Sequence, residues 1–114
     1  MDGIVNILHF AVDGVAQRQQ AIAGNLANSQ TPGFTASDVS FESSLQQAMS
    51  STGGGTATIT QSADPAPAAT NGNNVDAGQQ LVAAEKTTLQ YQTDVELLNA
   101  QFRLVQGATG GSFQ

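Results

Sequence analysis

The most constraining feature of this chain is a spacing. Leu81, Ala84, Thr88, Tyr91, Val95, Leu98, Phe102 and Val105 follow one another at intervals of 3-4-3-4-3-4-3. Side chains so spaced line one face of an α-helix, and a seam sustained over several heptads is the kind by which helices pair. The spacing predicts a helix from residue 75 to about 106, roughly 45 Å long. Leu89, Leu97 and Leu104 fall outside the seam. They widen the apolar face, so the helix is expected to touch more than one neighbour. The alternative is a broad core face within a single subunit. Asp76 is placed to cap the helix, with Gln79 three residues on completing a capping box. Gly107 is a natural stop, and GATGGSFQ reads as a frayed tail.

A second stripe runs through the N-terminal part. Ile4, Leu8, Ala11, Val15 and Ile22 have a 4-3-4-7 spacing, and Leu26 follows four residues later. This predicts a helix over residues 4 to about 28. Arg18 stands at the missing step, where its stem lies along the apolar seam and its head stays in water. Gly3, Gly14 and Gly24 weaken the helix by up to about 1 kcal/mol each relative to alanine. The pattern fails at Asn28, a residue type that tolerates the left-handed conformation ending many helices. Pro32 biases Thr31 towards an extended backbone. Pro32-Gly33 fits the central positions of a type II turn, with glycine supplying the positive φ. Phe34 and Phe41 then flank TASDVS, which reads as extended. Asp38 to Met49 is expected to form a shorter helix, with Phe41, Leu45 and Ala48 on one face and Ser40 or Asp38 as its cap.

Residues 50–74 are a different material, rich in Gly, Ser, Thr, Ala, Pro and Asn. They offer little apolar surface for ordering and read as a flexible linker. Thr56 to Thr60 has strand character but no evident partner. The chain thus divides into residues 1–49 (helix, turn and short helix), 50–74 (linker) and 75–114 (long helix and tail). The expected fold is mainly α, with two long amphipathic helices packed as an antiparallel, coiled-coil-like hairpin.

Charge narrows the functions open to such a fold. Nine acids against three bases, Arg18, Lys86 and Arg103, leave a net charge of −6. No basic patch is available for nucleic acid or an anionic membrane surface. Charged residues are only 11% of the chain, so its surface is weakly guarded against association. No run approaches the ~18 apolar residues of a membrane span, and no cleaved signal peptide is expected at the N-terminus. The absence of cysteine excludes disulfides and thiolate metal sites. His9 is the only histidine and lies beside the apolar stripe, which suits a packing or surface role. Asp94 and Glu96 are two residues apart on a helix and do not face each other. Gly53-Gly54-Gly55 lacks the Lys-Ser/Thr of a phosphate loop. Asn71, Asn73 and Asn74 have no closing acid at calcium-loop spacing. No catalytic, cofactor or metal site is expected, and the informative features are all interaction features.

The stretch QRQQAIAGNLANSQTPGFTASDVSFESSL resembles the N-terminal signature of bacterial flagellar axial proteins, the rod and hook subunits. The resemblance rests on Gly24, Asn25, Leu26, Ala27 and Asn28, then on Thr31, Pro32, Gly33 and Phe34, and on Phe41. The stretch NGNNVDAGQQLVAAEKTTLQYQTDVELLNAQFRLV is similar to the C-terminal part of proximal rod members of that family. It matches at Gly72, Asn73, Val75, Asp76 and Tyr91-Gln92. The resemblance implies a structural, non-enzymatic rod subunit that self-associates helically as part of the flagellar drive shaft. It implies export through the flagellar apparatus without a cleaved signal, a periplasmic position, and neighbours among other rod subunits and the rod-base adaptor. Leu89, Leu97 and Leu104 are then the expected subunit contacts. Other readings are another axial subunit, or a cytosolic helical adaptor or chaperone of the export system.

Overall fold

A computed structural model describes residues 2–50 and 57–110. The element order is α1 (Asp2–Ala27), β1 (Ser37–Ser40), α2 (Glu42–Ser50), β2 (Thr60–Ala63) and α3 (Ala77–Gly110). The chain is mainly helical and elongated, with extents of 66 × 28 × 14 Å. Its radius of gyration is 18.0 Å, against about 13 Å for a compact chain of this length.

The two long helices pack antiparallel. Three contacts along their length set the register. The rings of His9 and Phe102 meet edge-on at 6.3 Å. Gln19 Nε2 donates to Thr88 Oγ1 at 3.2 Å, and Asn25 Nδ2 donates to Gln80 Oε1 at 3.1 Å. The apolar stripe of α1 is only partly spent on this pairing. Ala11 and Val15 form the buried cluster with Val39 of β1 and Phe41, against which Phe10, Ala21, Leu45 and Ile59 pack. So α1 is the central element, with α3 along one side and the β1–α2 segment on another.

Local signals explain most element ends. Asp76 Oδ1 accepts from Gln79 N at 3.1 Å, so Asp76 caps α3 as its sequence position suggests. Helix α3 continues through Gly107 to Gly110, beyond the expected stop. Glycine weakens a helix but, unlike proline, keeps its N–H and does not break the ladder. The expected α2 start is also displaced. Ser37–Ser40 is strand, α2 begins at Glu42, and neither Asp38 nor Ser40 caps it. Instead Leu45 N donates to the Phe41 carbonyl at 2.9 Å, and the Glu42 carboxylate accepts from Phe41 N at 3.3 Å.

Strand β2 is the larger departure. It lies within the expected linker and pairs antiparallel with β1, Ser37 opposite Ala63 and Ser40 opposite Thr60. Neither strand alternates clearly between apolar and polar residues, so the pairing leaves little trace in the sequence. The GGG stretch at 53–55, Thr56 and the tail beyond Gly110 lie outside the described residues, as do the side chains of Ile4 and Val105.

Candidate functional site

Two regions concentrate the residues singled out in the sequence: the junction that follows α1, and the outer face of α3. The junction begins with a helix end built from side-chain amides. Asn28 does not take the left-handed conformation; among the described residues only Gly33 (φ 75°) and Gly72 (φ 83°) have positive φ. Instead Asn28 N donates to the Gly24 carbonyl at 3.1 Å, and its Nδ2 donates to the same carbonyl at 2.9 Å. The side chain thus adds a second donor to a carbonyl that the backbone already pairs, using both of its lone pairs at the helix end. Its Oδ1 accepts from Thr31 Oγ1 at 3.1 Å. The turn is the expected one: Phe34 N donates to the Thr31 carbonyl at 3.3 Å, Pro32 and Gly33 sit between, and Gly33 carries the positive φ of a type II turn.

Asn25 is 1% exposed, and all its amide hydrogen bonds leave α1. Its Oδ1 accepts from Ser37 N at 2.9 Å, and its Nδ2 donates to the Ser37 carbonyl at 3.0 Å as well as to Gln80. Ser37 stands in the non-hydrogen-bonded position opposite Ala63, so its backbone groups face away from β2. The Asn25 carboxamide therefore acts as a one-residue strand on the outer edge of β1. Arg18 closes the same edge further along. Its Nε and Nη2 donate to the Val39 carbonyl at 3.2 and 2.8 Å, and its guanidinium lies 4.9 Å from the Phe41 ring centre. It also makes a two-pronged pair with Glu42. The head is thus partnered rather than free in water. That hydrogen bonding holds the Glu42 carboxyl down at about 2 and raises the Arg18 pKa. Phe41 is buried against Gly14, whose missing Cβ would lie 2.6 Å from its ring.

The two sequence signatures meet here. Buried Asn73 donates through Nδ2 to the carbonyls of Asn28 and Thr31, at 2.8 and 2.7 Å. Gly33 N donates to the Asn71 carbonyl at 2.9 Å, and Asn74 N donates to the Phe34 carbonyl at 3.3 Å. Asn74 carries no sequence signal for this role, because its partner Ala36 lies 38 residues away. Among the other motif positions, Leu26 and Phe34 are half-buried, while Ala27, Thr31, Pro32 and Gly33 are exposed.

The outer face of α3 is apolar and open. Leu89, Leu97 and Leu104 are 64%, 51% and 54% exposed. At about 100° per residue they lie roughly 80–160° around the helix from Thr87, whose side chain is buried. Of the seam positions, Ala84, Val95 and Leu98 are partly covered, while Leu81, Thr88, Tyr91 and Phe102 are exposed. Between α1 and α3 runs an open groove of about 570 Å³, lined by Val15, Ala16, Gln19, Ala23, Thr87 and Tyr91 among others. Gln19 Oε1 and Asp94 Oδ2 are buried without a hydrogen-bond partner, and burial raises the Asp94 pKa. Burial, then the nearby Asp64 charge, likewise raises that of Asp38. Among the described residues no cluster of His, Asp or Glu is arranged to hold a metal, and no helix is long and apolar enough to cross a membrane. The arrangement offers surfaces and a braced junction.

No protein-family model matches the chain. Curated proteins do. It is 31% identical to the flagellar basal body rod protein FlgB of Yersinia enterocolitica over 90% of each chain. It is 30% identical to that of Aeromonas hydrophila over 88% of this chain and 87% of the relative. It is 30% identical to that of Salmonella typhimurium over 90% of each.

Proposed function

This chain belongs to the FlgB family of flagellar basal body rod proteins, and from that premise we propose that it is a structural subunit of the proximal rod, assembling through the uncovered face of α3. The observation that carries the mode of assembly is the exposure of Leu89, Leu97 and Leu104 on a helix whose other side already lies on α1. The accessible surface supports it: 7346 Å², against about 5,900 Å² for a compact monomer of this mass. The surplus exceeds the roughly 800 Å² that one partner commits to a standard interface. Few charges oppose association. The leucine face and the α1–α3 groove lie on different sides of the molecule, so a contact between them is heterologous and grows a helical polymer.

On this reading the partners are copies of the chain, other rod subunits and the rod-base adaptor. The site is the periplasmic part of the basal body, reached through the flagellar export apparatus without a cleaved signal. The turn at Thr31–Phe34 redirects the chain outward to meet the next subunit. Leu97→Asp tests the assembly surface. It is expected to leave the circular dichroism spectrum and export intact and to abolish rod formation and motility. Wild-type rod formation by Leu97→Asp would refute the assignment.

A further inference from the structure

Three asparagine side chains at the junction do the work of missing backbone. Asn74 shows it most directly. Asp64 N donates to the Ala36 carbonyl at 2.8 Å, the first bond of a ladder pair. The reciprocal bond, Ala36 N to the Asp64 carbonyl, is replaced by the Asn74 carboxamide. Its Oδ1 accepts from Ala36 N at 2.7 Å, and its Nδ2 donates to the Asp64 carbonyl at 2.9 Å and to the Ala66 carbonyl at 3.0 Å. Asn73 holds the other half. It contributes two N–H donors to two carbonyls of the turn and accepts from Val75 N at 2.7 Å. Beside it Gly72 lies back to back with Gly33, leaving a Cβ only 3.1 Å from the Gly33 Cα.

We propose that Asn73 and Asn74 are the positioning residues of the turn that follows α1, so that residues 28–37 take their fixed course only when residues 71–76 are docked on them. The turn's own bonds are few. Within 28–34 they are Thr31 N to the Asn28 carbonyl, at 3.0 Å, the longer Phe34 N to the Thr31 carbonyl, and the exposed side-chain bond from Thr31 Oγ1 to Asn28 Oδ1 at 3.1 Å. The carbonyls of Asn28 and Thr31 converge on one point, and only a donor placed between them relieves their repulsion. Asn73 Nδ2 has two hydrogens in that position, which neither a carboxylate nor an apolar side chain provides. The device couples the exit direction of α1 to the start of α3, because Asp76, the cap of α3, is two residues beyond Asn74. Its bearing on assembly rests on the rod reading, but the clasp is a property of the free chain and is tested there.

The test is amide hydrogen exchange on full-length Asn73→Asp and Asn73→Ala chains, read at Thr31, Gly33, Phe34 and Ala36, with the middle of α1 as internal reference. At pH 7 both variants are expected to exchange at least tenfold faster than the parent at those amides, with α1 unchanged. On acidification to pH 4 the introduced carboxyl regains a proton and one O–H donor. The variant-to-parent ratio should then fall towards one for Asn73→Asp and stay high for Asn73→Ala. Unchanged protection at 28–37, or a ratio for Asn73→Asp that does not respond to pH, overturns the proposal. If Asn73→Asp loses all protection at pH 7, the pH 4 measurement and Asn73→Ala decide by the same criteria. Normal rods from a chain with a loosened turn would count against the turn's part in assembly, and leave the clasp standing.

Discussion

Replacing a mid-helix glycine by alanine ordinarily strengthens the helix by about 1 kcal/mol. Gly14 and Gly24 lie in the same helix, ten residues apart. At Gly24 an added Cβ meets nothing within 4 Å. At Gly14 it would lie 2.6–2.7 Å from three ring carbons of Phe41. Carbon atoms in contact sit about 3.5–4.0 Å apart, so the ring must retreat by roughly 1 Å. It has little room, being 2% exposed and held edge-on by Phe10 at 6.1 Å and by Arg18 at 4.9 Å. Overpacking a core of this kind costs about 1–3 kcal/mol, and losing the ring's burial altogether about 3–5. Set against the propensity gain, Gly14→Ala should destabilise the chain by up to about 2 kcal/mol if the ring shifts and by about 2–4 kcal/mol if it leaves its seat, while Gly24→Ala should stabilise it by about 0.5–1 kcal/mol.

Urea unfolding followed by far-ultraviolet circular dichroism reads the difference. With a slope of about 1–3 kcal/mol per molar urea, the midpoints of the two variants should separate by about 1 M, on opposite sides of the parent. Combining Gly14→Ala with Phe41→Leu should recover part of the loss, because the smaller side chain vacates the collision. A Gly14→Ala midpoint at or above that of the parent would show that the Phe41 seat does not constrain position 14, and the packing argument would fail.

The Arg18–Glu42 pair sets an acid limit. Glu42 has its pKa depressed to about 2, so its contribution is complete above the ordinary carboxylate range and is lost as pH falls through about 2. The carboxylate is half exposed, which reduces the expected loss to about 1 kcal/mol; Glu42→Gln should remove that acid-dependent step from urea midpoints measured between pH 5 and 2. Asp94 has the opposite sign, since burial raises its pKa. Asp94→Asn should be slightly more stable than the parent at pH 7, by under about 1 kcal/mol, and the gap should close as pH falls through that raised pKa. Gly72→Ala should cost about 1–2 kcal/mol for its positive φ, and more than Gly33→Ala, because only at Gly72 does the new Cβ press on backbone; equal midpoints for the two would refute the back-to-back packing.

What the sequence disclosed depended on how far apart the interacting residues lie. The cap at Asp76 and the turn at Pro32-Gly33 are written within four residues, and both are found where local chemistry puts them. The long helices follow from periodicity. The β1–β2 pair does not, because β1 is held on its outer edge by Asn25 and Arg18 and tied to the β2 side by Asn74, partners 12 to 38 residues away. Gly14 looked like a weak point in α1 and is a seat for Phe41. Arg18 looked like an interruption of the stripe and is the side chain that closes the β1 edge. In each case the residue type was visible and the partner was not.

The placement of the core bears on why α3 is left open. Ala11 and Val15 of α1 pack on Val39 and Phe41, while α3 meets α1 through the His9–Phe102 ring contact and the polar pairs Gln19–Thr88 and Asn25–Gln80 and leaves an open groove beside it. Among the described side chains of α3 only Thr87 is buried. A fully buried leucine stabilises by about 1.5–3 kcal/mol, and Leu89, Leu97 and Leu104 are each at least half exposed. Roughly half of that gain is therefore unrealised at each position, on the order of 3 kcal/mol in all. That is a substantial fraction of a small domain's net stability of about 5–15 kcal/mol. On the proposed mode of assembly, a neighbour covering this face would supply the missing term. The stability of α3 should accordingly rise with chain concentration, and the rise should vanish in Leu97→Asp.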